Sequence, residues 1–141
     1  MFIKQLSVFV ENSQGRLQQI IDVLGENHIN IRALSLADTA EFGILRLIVD
    51  EDEKASVLLK EKGVISKVTE VIAVSIDDCA GGLAAVTRAI TDAGIGIEYT
   101  YAFLGRSEGK ALLVIQTSDE KRAESILREK GVKLVSKEDL K

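Results

Sequence analysis

The stretch Glu11-Asn12-Ser13-Gln14-Gly15-Arg16-Leu17 (ENSQGRL) has a counterpart further along the chain, Asp77-Asp78-Cys79-Ala80-Gly81-Gly82-Leu83 (DDCAGGL). Subtracting 17 from 83 gives the offset, 66, and the match runs on without a gap on both sides. Leu6, Val8 and Val10 fall on Ile72, Val74 and Ile76. Leu17, Ile20 and Leu24 fall on Leu83, Val86 and Ile90, and Ile29 and Ile31 fall on Ile95 and Ile97. Later, Glu61-Lys62-Gly63 recurs as Glu129-Lys130-Gly131, so the offset has grown to 68. The two extra residues belong in the turn from Phe103 to Gly109. The chain is a duplication, and each heptad occupies the same structural setting in its own copy.

Outward from the first heptad, each copy reads in the same order. Residues 2 to 10 alternate, with Leu6, Val8 and Val10 on one face and Ser7 on the other, which predicts a half-buried strand. Leu17, Ile20, Ile21 and Leu24 keep helical spacing until Gly25-Glu26-Asn27-His28 stops the helix. Ile29 to Leu36 and Ile44 to Val49 are rich in Ile, Leu and Val and flank a hairpin loop, Ala37 to Gly43. Residues 52 to 62 form a second amphipathic helix around Ala55, Leu58 and Leu59, closed by Gly63, with a short strand beginning near Val64. The second copy is expected to run β 70 to 76, α 82 to 93, β 96 to 104, β 110 to 117, α 119 to 130 and β 132 to 135.

That order, βαββαβ, is the split βαβ of ferredoxin-like folds. The expectation is an α+β protein of two tandem ferredoxin-like units, residues 1–68 and 69–141, each an antiparallel sheet with both helices on one face. A unit of this size has a thin core, so the two are expected side by side with a shared interface. No Pro, Gly or Ser-rich linker parts them, which predicts rigid docking. A bare sheet face and free strand edges predict association with another copy or another chain.

Composition narrows the function classes. With 46% hydrophobic and 28% charged residues, the chain is that of a soluble globule. A net charge of -4, with basic and acidic residues alternating, lacks the basic stripe of a nucleic-acid binder. A single cysteine excludes an internal disulfide or a thiolate metal cluster. The start MFIKQLSVFVENS carries an apolar run too short and interrupted for a signal peptide, and no stretch approaches a membrane span. The expectation is a cytoplasmic protein with neither nucleic acid nor membrane as partner.

The heptads lie between the first strand and first helix of each copy. Leading helix amides have no intrahelical partner, and the helix dipole adds positive partial charge there, so an anion such as a carboxylate is welcome. Gly15 and Gly81 allow a close backbone approach or a positive φ. Glu11 and Asn12 in one copy, Asp77 and Asp78 in the other, can accept from an ammonium. Amide donors beside acidic acceptors suit a zwitterion, and a free α-amino acid is the obvious one. The plainer reading is that Asx and Ser residues there are ordinary N-caps and the glycines turn residues.

Other chemistry finds less support. Cys79 at a helix start could be nucleophilic but needs a base. The one histidine, His28, follows the first helix, about 18 Å from its own copy's loop along twelve residues of helix. Edge-to-edge pairing of the units would bring residues 28 to 30 near the other loop, yet no third orienting group accompanies the pair, and no catalytic residue is assigned. Asp77-Asp78 is not a calcium loop. Gly105-Arg106-Ser107-Glu108-Gly109-Lys110-Ala111 has three residues between its glycines where a P-loop has four, and Ala where Ser or Thr holds magnesium, so it reads as a hairpin turn. Gly94-Ile95-Gly96-Ile97 lacks the third glycine of a dinucleotide fingerprint. The run Asp50-Glu51-Asp52-Glu53 reads as the charged start of the second helix. No metal and no cofactor are expected.

The pattern of a strand, then E/D-N/D-x-x-G-x-L, an apolar helix and ENHINIRALSLADTAEFGILRLIVD (residues 26–50) strongly resembles the ACT domain, a small regulatory module that binds amino acids. The resemblance covers essentially all of both halves, and the whole chain is similar to stand-alone tandem ACT proteins. It implies a ligand at an interface between two ACT units, where the loop after the first strand of one faces the end of the first helix and the start of the second strand of its neighbour. By motif it implicates Asn12 and Gly15 with Asn30 in copy one, and Asp78 and Gly81 with Gly96 in copy two. The rest of each loop joins them, namely Glu11, Ser13, Gln14 and Arg16, and Asp77, Cys79 and Ala80; His28 reads either as a solvated cap near the helix C-terminus or as a residue touching the ligand. The family's proline before the loop glycine is replaced by Gln14 and Ala80, and Gly96 cannot make the contact that Asn30 makes, so the two sites should differ. The implied function is a regulatory or sensor protein, not an enzyme, acting on a homodimeric copy or a metabolic enzyme. The alternative is an interaction module without ligand, recruiting a partner through its sheet edges.

Overall fold

A computed structural model describes residues 1–11, 13–38, 41–105 and 108–141. Asn12, and parts of the two hairpin loops expected at 37–43 and 103–109, lie outside the described residues. The elements run β1 (Ile3–Glu11), α1 (Arg16–Glu26), β2 (Ile31–Asp38), β3 (Phe42–Val49), α2 (Asp52–Glu61), β4 (Ser66–Asp77), α3 (Gly82–Asp92), β5 (Ile97–Ala102), β6 (Lys110–Thr117), α4 (Glu120–Glu129) and β7 (Lys133–Leu134). A 3-10 turn, Lys137–Leu140, follows. The order is βαββαβ twice, an α+β fold of two ferredoxin-like units, with β4 closing the first series and opening the second.

Here the expected elements differ in one place. A short strand near Val64 and another over 70 to 76 were expected, and the chain instead makes one strand of 12 residues, Ser66–Asp77. Beyond Gly63 the segment holds neither Gly nor Pro and is rich in β-branched residues (Val68, Thr69, Val71, Ile72), so nothing breaks it. The described residues form two compact units, Lys4–Thr69 with Leu140–Lys141, and Glu70–Asp139 with Met1–Ile3. They are called the first and second unit below.

In the first unit β3 lies between β2 and β1, all antiparallel, with Leu6 opposite Leu47, Val8 opposite Leu45 and Leu34 opposite Leu47. Leu6, Val8 and Val10 meet Ile20 and Leu24 of α1 and Ala55 and Leu59 of α2 in one core. The second unit repeats this. β6 lies between β4 and β5, Ile72 faces Ile115, Val74 faces Leu113, and β7 pairs with β4. Its core joins Ile72, Val74 and Ile76 to Val86, Ile90, Ala123 and Leu127. Even the irregularities match, since a bulge between Ile31 and Ala33 recurs between Ile97 and Tyr99.

One departure from the expected pattern falls in the first turn of α3. Leu83, expected in the stripe beside Val86 and Ile90, is 44% exposed, whereas its counterpart Leu17 packs against its core. The run Asp50 to Glu53 opens α2 as expected, with Glu51 at its N-cap and Asp52 and Glu53 in its first turn. Asp52 is 7% exposed, and Asp50 turns back to accept a hydrogen bond from the Asn30 N–H at 2.9 Å. The acids at this helix start are parts of the fold.

Candidate functional site

Both heptads fold into the same turn. In the first, the Ser13 N–H donates to Glu11 O (2.7 Å), the Arg16 N–H to Ser13 O (3.3 Å) and the Gln19 N–H to Gly15 O (3.1 Å). In the second, the Cys79 N–H donates to Asp77 O (2.9 Å), the Gly82 N–H to Cys79 O (3.0 Å) and the Ala85 N–H to Gly81 O (3.1 Å). Every bond recurs at the sequence offset. Gly15 and Gly81 are the N-caps, left-handed at φ 85° and 87°, and neither helix has a side-chain cap bond. A Cβ at either glycine would meet nothing within 4 Å, so the left-handed conformation, rather than lack of room, is what asks for glycine. With the Arg16 and Gly82 amides taken up inside the loops, the first-turn amides of Leu17 and Gln18, and of Leu83 and Ala84, are the ones left for an anion.

The loops then diverge. Gly82 stands where the first unit has Arg16, and a Cβ at Gly82 would sit 2.3 Å from the Asp77 carbonyl oxygen. The second loop is therefore more tightly wound. Arg16 is half-buried and donates from Nη1 to Gln19 Oε1 at 3.2 Å. Asp77 lies opposite Lys110 in the ladder, and Lys110 Nζ reaches its Oδ1 at 2.5 Å. That hydrogen bond and the charge behind it hold the Asp77 carboxyl below the usual aspartate range. In the first unit Glu11 faces Phe42, so this ion pair has no counterpart there.

The second loop opens into a cleft of about 460 Å³. One wall is Asp77 and Cys79 to Gly82 with Ala85 and Val86 of α3. The other is Lys110 together with Gly131 and Val132 from the turn after α4 and Lys133, which opens β7. Of the expected site residues, the cleft gathers Asp77, Cys79, Ala80 and Gly81. Asp78 adjoins them, is exposed, and ties its N–H to Gly109 O at 3.1 Å. Glu11, Ser13, Gln14 and Gly15 are exposed on the first loop.

Within a unit, the remaining expected residues lie at the other end of the helix. His28 and Asn30 follow the 11-residue α1, roughly 16 Å from Gly15 along the axis. Both are exposed, and His28 has φ 59° with its N–H bonded to Gly25 O. Asn30 and Gly96 hold equivalent backbone latches. Asn30 bonds to the Asp50 side chain and backbone, and Gly96 N–H donates to Ser118 Oγ (3.0 Å) while Ser118 N–H donates to Gly96 O (2.9 Å). Cys79 is an exposed free thiol. Among the described residues no group of three His, Cys, Asp or Glu is placed to hold a metal ion, and no helix is long and apolar enough to cross a membrane.

Sequence reasoning missed Lys110, Lys133 and the steric role of Gly82. The signal for Lys110 was available. Setting the copies in register puts Lys110 where the first has Phe42, opposite the acid that ends the first strand.

A duplicated βαββαβ unit with a left-handed glycine opening the first helix of each copy defines a tandem ferredoxin-like α+β class. The chain belongs to the ACT domain pair family, whose model matches residues 1–141. It is similar to protein BT0572 from Bacteroides thetaiotaomicron, at 38% identity and a TM-score of 0.93, covering 99% of this chain and 96% of that one. The regulatory subunits of aspartate kinase from Thermus thermophilus (ligand-free form) and Thermus flavus share the fold at 17% identity. Their TM-scores are 0.63 and 0.61, with 89% of this chain covered in each case and 87% and 88% of theirs. Comparison with curated proteins gives no match.

Proposed function

We propose that this ACT domain pair is a regulatory protein that binds a free α-amino acid at the loops opening α1 and α3. The observation that carries the reading is the loop frame built twice, bond for bond, with uncapped helix-start amides beyond Gly15 and Gly81. Those amides suit a carboxylate, and in the second unit Lys133 adds positive charge at the cleft beside the Asp77–Lys110 ion pair. Glu11 and Asn12 in one loop, and Asp78 in the other, are the acceptors for the ammonium. The fold shared with regulatory subunits of aspartate kinase supports a regulatory role, with a metabolic enzyme or a second copy of this chain as the regulated partner. A ligand that prefers one arrangement of the protein shifts the population toward it, and that shift is the signal.

A thermal-shift screen over the twenty amino acids tests the reading. An amino acid at 100 times its dissociation constant adds about 2.7 kcal/mol of stability. The expected result is a rise in melting temperature with at least one of them, lost in the Gly15→Val, Gly81→Val double variant while its circular dichroism stays near wild type. No response to any amino acid, or an undiminished response in the double variant, refutes the assignment.

A further inference from the structure

Each unit carries a groove on its helical layer, which in the second unit is separate from the 460 Å³ cleft. In the second unit it encloses about 340 Å³ over a floor of Ala85, Val86, Ala89 and Val132. Its rim holds Arg88, Lys130 and Asp92. The groove of the first unit, about 320 Å³, stands at the equivalent positions, with Ile20, Val23 and Val64 in its floor. The fold therefore builds this groove as a matter of course, and the duplication isolates what is particular to each copy. That difference is charge. Asp22 stands where the second unit has Arg88, Glu26 matches Asp92 and Lys62 matches Lys130. With Arg16 added, the first rim balances two cations against two acids, whereas the second sets two cations against one acid.

We propose that the groove of the second unit docks an acidic peptide segment of a partner protein. Arg88 and Lys130 are exposed, and among the described residues no ion pair engages either. The groove adjoins the 460 Å³ cleft through Ala85, Val86 and Val132, and Lys133 extends the positive rim in that direction. Lys133 also lies near enough to Asp139 to help lower that carboxyl, so the rim cations carry more weight than Lys133 does. A small anion would gain nothing from the apolar floor. A peptide laid along α3 covers Ala89 and Val132 with its apolar side chains while its carboxylates meet the rim. The docking does not depend on the cleft taking an amino acid.

The test uses the intact chain and a fluorescein-labelled octapeptide of alternating Leu and Glu, with a Leu and Gln version as control, read by fluorescence anisotropy. The Glu peptide is expected to bind with an affinity that falls as salt rises, and the Gln peptide to bind at least about tenfold more weakly. Arg88→Asp and Lys130→Glu, both at exposed positions, should each weaken the Glu peptide by about fivefold or more with melting temperature unchanged. Asp22→Arg, which leaves the first rim with three cations against one acid, should add a second equivalent of bound peptide. Equal binding of the two peptides, indifference to Arg88→Asp, or displacement by free glutamate at the peptide's own concentration overturns the proposal. Because Arg88 and Lys130 do not line the cleft, an amino-acid thermal shift that survives in both variants separates failure here from failure of the proposed function.

Discussion

Removing the carboxylate of Glu120 should loosen the second unit at a single identifiable point. Glu120 opens α4 and is partly buried, and its Oε1 accepts from the Thr117 N–H at 2.7 Å and from the Thr117 hydroxyl at 2.6 Å. Its Oε2 accepts from the Ile72 N–H at 3.0 Å, so the side chain continues the β4–β6 ladder just beyond the end of β6. Thr117 and Ile72 are themselves 3% and 0% exposed. Glu120→Ala leaves both amides buried without an acceptor, at about 1–3 kcal/mol each, and relief of a desolvated charge returns part of that. The expected net loss is about 2–4 kcal/mol at neutral pH, measured by urea unfolding, with hydrogen exchange accelerated at Ile72 and Thr117. Glu120→Gln keeps an acceptor for Thr117 but turns an NH2 toward Ile72, and should lose less. The pH dependence has a definite sign. Burial pushes the Glu120 carboxyl above the usual glutamate range, Glu98 adds to this, and the three hydrogen bonds only partly oppose it. The folded state then holds that proton more tightly than the unfolded chain. Its stabilising contribution is complete below the unfolded pKa and is lost as pH rises through the folded one. The stability of wild type relative to Glu120→Gln should therefore decline from about pH 4 toward neutrality and then level. An Ala variant within about 0.5 kcal/mol of wild type, or a difference that grows with rising pH, refutes this account of the carboxylate.

The loop glycines separate two physical requirements. Gly15→Ala and Gly81→Ala should each cost about 1–2 kcal/mol from left-handed strain alone, and Gly82→Ala should cost more, because its methyl meets the Asp77 carbonyl. Chemical denaturation of the three variants checks the order, and equal losses would contradict it. Asp50→Ala and Ser118→Ala remove the same latch from different units, so each should lose about 1 kcal/mol and expose the Asn30 or the Gly96 amide to exchange. Retained protection at both amides argues against the latch.

The fold was legible because the signals for it are local and were written twice. Strand alternation at Leu6, Val8 and Val10, helical spacing at Ile20 and Leu24, and the recurrence at 66 residues each constrain the same βαββαβ order, and all reappear in the cores. The continuous β4 was not legible, because a run of β-branched residues carries no mark of where one unit's strand gives way to the next. Leu83 was misread for a related reason. Periodicity gives the face of a helix but not how far its first turn extends from the sheet, and Leu83 lies at that end. The turn of the loops was readable down to its glycines, but what faces them was not, since Lys110 and Lys133 arrive from β6 and β7, far along the chain.

Duplication makes the remaining differences informative. A groove or a latch that appears in both copies answers to the fold, and its presence alone says little about function. The positions where one copy departs while its backbone partner stays in place are free of that constraint. Phe42 and Lys110 sit at one register position, Arg16 and Gly82 at one helix start, and Asp22 and Arg88 on one groove rim. All three substitutions make the second unit more tightly wound or more positively charged where it meets solvent. The two units are thus built to the same plan but present different chemistry. A ligand or partner that discriminates by charge should therefore engage them unequally, and exchanging Asp22 and Arg88 should exchange that preference without altering either core.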